Sequence, residues 1–162
     1  MAYTTAHPIR FTLDKALDYI CNPDKTEYCQ LISAVNCHQD YAEMEFCYTR
    51  KIMNPDVKLL AFHAVQSFAP GEVTPEQAHE IGLETMKKWL NDEYEFVIAT
   101  HVDKNHIHNH IIILGIILNQ IIHYTLYIFR FIVSRNHDQY FQMSFLVPLV
   151  VVPHYFSIYS RK

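Results

Sequence analysis

Residues 99–114 read ATHVDKNHIHNHIIIL, placing four histidines, His101, His106, His108 and His110, within ten positions and between apolar runs. Few local folds suit such a segment. In a strand, side chains two apart share a face. A strand from 106 therefore puts His106, His108 and His110 on one wall. A turn at Lys104-Asn105 brings His101 across from them on the neighbouring strand. Packing alone does not account for this density, and histidine is the commonest side-chain metal ligand. A three-histidine site leaves coordination positions open for water or a phosphate oxygen. His101, His108 and His110 are the candidate ligands. His106 shares their face in a regular strand but sits nearest the turn. Asp103 has two open readings: a partner that fixes a histidine tautomer, or a turn former.

The rest of the chain supplies the frame. Residues 8–11 (PIRF) read as a short strand. Thr12 stands as N-cap to a helix whose Leu13, Ala16, Leu17 and Ile20 form one stripe. Tyr19 lies off that stripe, away from the core. Asn22-Pro23-Asp24 stops the helix. Residues 31–37 suit a strand, residues 40–53 carry mixed signals and read as helix, and residues 59–68 read as a strand ending at Ala69-Pro70-Gly71. Thr74-Pro75-Glu76-Gln77 opens a helix that runs to Leu90. Strands follow at 94–103 and 106–114. This order predicts an α+β fold with a largely antiparallel sheet and helices packed mainly on one face.

Charge divides the chain. Only five of its 30 charged side chains fall after residue 114: Arg130, Arg135, Asp138, Arg161 and Lys162. Four of those five are basic and the whole chain is −4, so residues 1–114 carry −7. That balance argues against a generic nucleic-acid binder. Two domains are expected: a catalytic-type unit over residues 1–114, and an apolar tail over 115–162. Residues 116–133 have the length of a membrane span, but Asn119, Gln120, His123 and Arg130 interrupt them. Membrane contact through the tail is thus disfavoured, and an aberrant or truncated continuation is the other reading. The four cysteines show no paired spacing and no signal peptide is evident, which points to reduced thiols in the cytoplasm.

Three blocks carry a resemblance: YICNPDKT (19–26), FHAVQSFAPGEVTPEQAHEIG (62–82) and ATHVDKNHIHNHII (99–112). In order and spacing, over about residues 7–114, they resemble the relaxases, the mobilisation nucleases of plasmids and integrative elements, in the branch of plasmid mobilisation and border-endonuclease enzymes. The last block fits the family pattern H-x-D-x-x-H-x-H-x-H. The resemblance implies a relaxase-like fold and nicking of one DNA strand at a transfer origin. By position, Tyr19 becomes the nucleophile, linked to the 5′ phosphate, and His101, His108 and His110 hold a divalent metal, manganese or magnesium. Ser67 and Lys25 become candidate DNA contacts. The implied partners are single-stranded DNA and accessory relaxosome proteins. His63 and His79 read as structural or exposed. Relatives place an apolar residue at the position of Asn109, so poorer packing is expected on the reverse sheet face. Relatives also continue with a basic segment after the histidine strand, whereas this chain continues with an apolar one.

Two other readings remain open. One is a metal-dependent phosphoesterase that uses the histidines without a covalent tyrosine. The other is a non-catalytic remnant whose tail drives association.

Overall fold

The computed structural model describes residues 3–115. Five strands and three helices follow in the order β1 (Tyr3–Ile9), α1 (Leu13–Ile20), β2 (Ile32–Val35), α2 (Ala42–Met53), β3 (Ala61–Ser67), α3 (Pro75–Leu90), β4 (Phe96–His101) and β5 (His108–Leu114). A short 3-10 turn, Gln39–Tyr41, leads into α2. The strands form one sheet in the order β1-β3-β5-β4-β2, and every pairing is antiparallel. The fold is α+β, as the strand and helix order predicts.

Two hydrophobic layers enclose the sheet. On one face Leu13, Leu17 and Ile20 of α1, with Ala42 and Phe46 of α2, meet Ala61, Val97, Ala99, Ile112 and Leu114. On the other, Met86 and Leu90 of α3 meet Phe62, Ala64, Phe96, Ile98, Ile111 and Ile113. Two helices thus share one face and the longest takes the other. The sequence carries the reason. The runs FVIA and IIIL do not alternate, and strands covered on both faces read as continuous apolar runs. Every residue of β4 and β5 is buried.

Local signals decide how well each boundary is foreseen. Thr74 forms the complete capping box with Gln77, with Pro75 at the start of α3, and the helix ends at Leu90. Thr12 behaves differently. It adopts a left-handed conformation, φ 56°, and its side chain makes no cap hydrogen bond; only its carbonyl accepts, from Ala16 N. β1 spans Tyr3–Ile9 rather than 8–11. It is an edge strand, where Pro8 is tolerated because no ladder bond is required of it. The tail expected at 115–162 lies, beyond Gly115, outside the described residues. Among the described residues no helix is long and apolar enough to cross a membrane.

Strand register then sets the site. His101 on β4 pairs with His108 on β5, which pairs with Ser67 on β3, which pairs with Tyr3 on β1. The next row on the same face is Ala99, His110, Val65 and Thr5. The histidines therefore stand at the end of the α1 face, beside the C-terminus of α1.

Candidate metal centre

His101, His108 and His110 are 0%, 4% and 7% exposed, and one ring nitrogen from each lies within 4.8 Å of the others. The remaining ring nitrogens are all engaged. His101 Nε2–H donates to the Ile20 carbonyl at 2.9 Å, and His108 Nδ1–H donates to the His106 carbonyl at 3.2 Å. His110 Nδ1 is 2.8 Å from His63 Nε2. That leaves His101 Nδ1, His108 Nε2 and His110 Nε2. His101 Nδ1 and His110 Nε2 are buried with no hydrogen-bond partner. Buried polar atoms are rarely left so. Two buried nitrogens without partners in one histidine cluster, on rings whose other nitrogens are hydrogen-bonded, match the arrangement of metal-ligating histidines. The residues present thus fit a divalent cation.

The electrostatics agree. Burial pushes the His110 pKa down to about 2, and His101, His63, His108 and Lys25 add to the effect. Burial likewise lowers His101 and His108, even though the Ile20 and His106 carbonyls oppose it. The rings are neutral near pH 7, the form that binds metal.

Tyr19 stands over this cluster. Its ring centroid is 5.6 Å from that of His101 and 5.5 Å from that of His110, both edge-on. At 44% exposed it is open to a large substrate. α1 places it there, because the apolar stripe of the helix faces the core and position 19 falls beside it. The loop after α1 then brings Lys25 back. Val102 N donates to the Lys25 carbonyl at 2.9 Å, and the Thr26 hydroxyl donates to the Asn22 carbonyl at 2.9 Å. Glu27, Tyr28 and Cys29 all take left-handed conformations to turn the chain. Lys25 Nζ ends 4.1 Å from the centre of the Tyr19 ring and 3.8 Å from Asp103 Oδ2.

Each sequence candidate therefore has a place. Tyr19, His101, His108 and His110 come together. His106 precedes β5, stacks on His108 with centroids 5.2 Å apart, and lends its carbonyl. Asp103 pairs with Lys25. Ser67 lies beside His108 in register. His63, read from sequence as structural or exposed, touches His110. It shares strand parity with Ser67, and that period of two was the available signal.

Asn109 departs from the expectation drawn from sequence. It points to the reverse face and is fully buried, but packing there is not poor. Its Oδ1 accepts from the Thr100 hydroxyl at 2.7 Å, and its Nδ2 donates to Gln66 Oε1 at 3.0 Å and the Ala78 carbonyl at 2.6 Å. His79 extends the network, with Nδ1 2.8 Å from the Thr100 hydroxyl and Nε2 2.8 Å from Ser33 Oγ. An apolar residue at 109 would remove all three of these Asn109 hydrogen bonds, to Thr100, Gln66 and Ala78.

Comparison with known proteins points the same way. The family described as "Relaxase: MobA/VirD2-like, nuclease domain" matches residues 19–130. The group II intron-interrupted relaxase LtrB of Lactococcus lactis subsp. cremoris is 40% identical over 126 residues, covering 62% of this chain and 22% of that protein. A protein rlx of Staphylococcus aureus is 46% identical over 81 residues, covering 50% of this chain and 25% of that protein. The chain spans about a quarter of the length of these relatives.

Proposed function

We propose, from the premise that this chain belongs to the MobA/VirD2-like relaxase nuclease family, that it nicks single-stranded DNA at the transfer origin of a mobile element. The observation that carries the proposal is that His101, His108 and His110 each offer one ring nitrogen within 4.8 Å of the others, beside the exposed Tyr19. These three histidines would hold the divalent ion, manganese or magnesium. When bound, such an ion offsets negative charge on the phosphate oxygens.

The chain's own groups do the rest. The Tyr19 hydroxyl oxygen forms a bond to phosphorus as the bond from phosphorus to the 3′ oxygen breaks. The phenolic hydrogen leaves to solvent, and the departing 3′ oxygen takes one up. The product is a 5′-phosphotyrosine link and a free 3′ hydroxyl. One phosphodiester replaces another, so the strand is rejoinable. Lys25 supplies a positive charge beside the phenol and the incoming phosphate. Asp103 holds that ammonium between substrates. Ser67, the register partner of His108, contacts the strand next to the scissile phosphate. The reaction belongs in the cytoplasm with accessory proteins of transfer.

The test is a nicking assay with manganese and a labelled oligonucleotide from the element's own transfer origin. Native protein should give a covalent adduct, and Tyr19→Phe should give none. Hydrolysis that survives Tyr19→Phe would replace this proposal with a phosphoesterase that uses no covalent tyrosine.

A further inference from the structure

His63 has no part in the reaction above, yet among the described residues it is the side chain that hydrogen-bonds to a candidate ligand ring through the nitrogen turned away from the metal. The three rings are anchored in two ways. His101 and His108 donate to backbone carbonyls, which can only accept, so their tautomers are determined by the fold. His110 instead meets another imidazole, His63, across 2.8 Å with ring centroids 5.0 Å apart. An imidazole can give or take, so this bond alone has a direction to be chosen.

The surroundings choose it. A hydrogen on His110 Nε2 would sit on a buried nitrogen that has no partner. On Nδ1 it meets His63 Nε2. We propose that His63 is a positioning residue: it accepts the Nδ1 hydrogen of His110 and thereby commits His110 Nε2 to the metal. This rests on the metal-centre reading given above. The arrangement also fits the chemistry. A carboxylate in that place would lend negative charge to the ligand set. A neutral imidazole orients His110 while leaving the full charge of the cation for phosphate. His63 itself is held in register between His7 on β1 and Ile112 on β5, half-buried on the same face.

Two measurements on the full chain test this. The first is nitrogen-15 NMR of the metal-free protein, which reads the tautomer of His110 directly. Nδ1–H is expected; Nε2–H would overturn the proposal. The second is calorimetric titration with manganese. His63→Leu should weaken binding about ten- to a hundredfold with the melting temperature unchanged. His63→Gln, whose amide oxygen can accept the same hydrogen, should restore most of the affinity. Equal losses in the Leu and Gln variants, or no loss in either, would overturn it. If His63→Leu fails to fold, the native tautomer decides. If native protein binds no manganese, the metal-centre reading fails, and the tautomer still judges His63.

Discussion

Four residues that are 80 or more positions apart in part, Tyr19 against His101, His108 and His110, meet because α1 ends where β4 ends. The Ile20 carbonyl that closes α1 is also the group that orients His101. Buried neutral histidines carry a consequence for stability. Their protons are held less well in the fold than in the unfolded chain, where the ordinary value is 6.5. Below about pH 6.5 the unfolded state therefore takes up more protons, and stability falls as pH falls. The melting temperature of metal-free protein should drop between about pH 7.5 and about pH 5.5, and His110→Gln should flatten the drop. A flat native profile would contradict the burial of these rings. Lys25 gives a second prediction. Lys25→Gln should slow nicking about tenfold, equivalent to about 1.4 kcal/mol, with metal affinity nearly unchanged. An unaltered single-turnover rate would remove Lys25 from the site.

At the scale of elements, the buried polar network fixes how α3 sits on the sheet. Gly82 packs on Asn109 and Ile98; a Cβ there would collide with Asn109 Nδ2 and come within 2.6 Å of Ile98 Cδ1. Asn109 cannot move aside without losing its bonds. Gly82→Ala should therefore destabilise by about 1–3 kcal/mol, although alanine is the better helix former by about 1 kcal/mol. Urea unfolding checks this, and a stabilised variant would show that α3 is free to shift. What the sequence reveals of these elements follows the range of the interactions. The capping box at Thr74 is complete within four residues and is legible. The helix stripe that leaves Tyr19 outside is legible for the same reason. The His63–His110 bond and the bonds from Asn109 to Ala78 and Gln66 are not, because they join residues 47, 31 and 43 positions apart and depend on strand order. A lone histidine or asparagine in a strand gives no local sign of its partner. Thr12 shows the converse: the right residue type stands at the helix start, but the turn from β1 forces a conformation in which its hydroxyl cannot cap.

At the scale of the whole chain, the site brings two lysines to a part of the sequence that is acidic in sum. Residues 1–114 carry −7. Lys25 lies at the tyrosine, and Lys104 is near enough to His108 to help lower its pKa. Each phosphate contact on a single strand contributes roughly −0.7 to the salt slope. With two such lysines, binding to an origin oligonucleotide should be weaker than about micromolar at physiological salt, with a slope near about −1.5. A slope of about −4 would require several more phosphate contacts than these two lysines supply. On this account the metal centre, rather than a broad electrostatic surface, is the main grip on the strand. A crystal of the protein soaked in manganese should show one anomalous peak bonded to His101 Nδ1, His108 Nε2 and His110 Nε2, beneath Tyr19. No peak there, or one held through the nitrogens that here bind Ile20, His106 and His63, would contradict it.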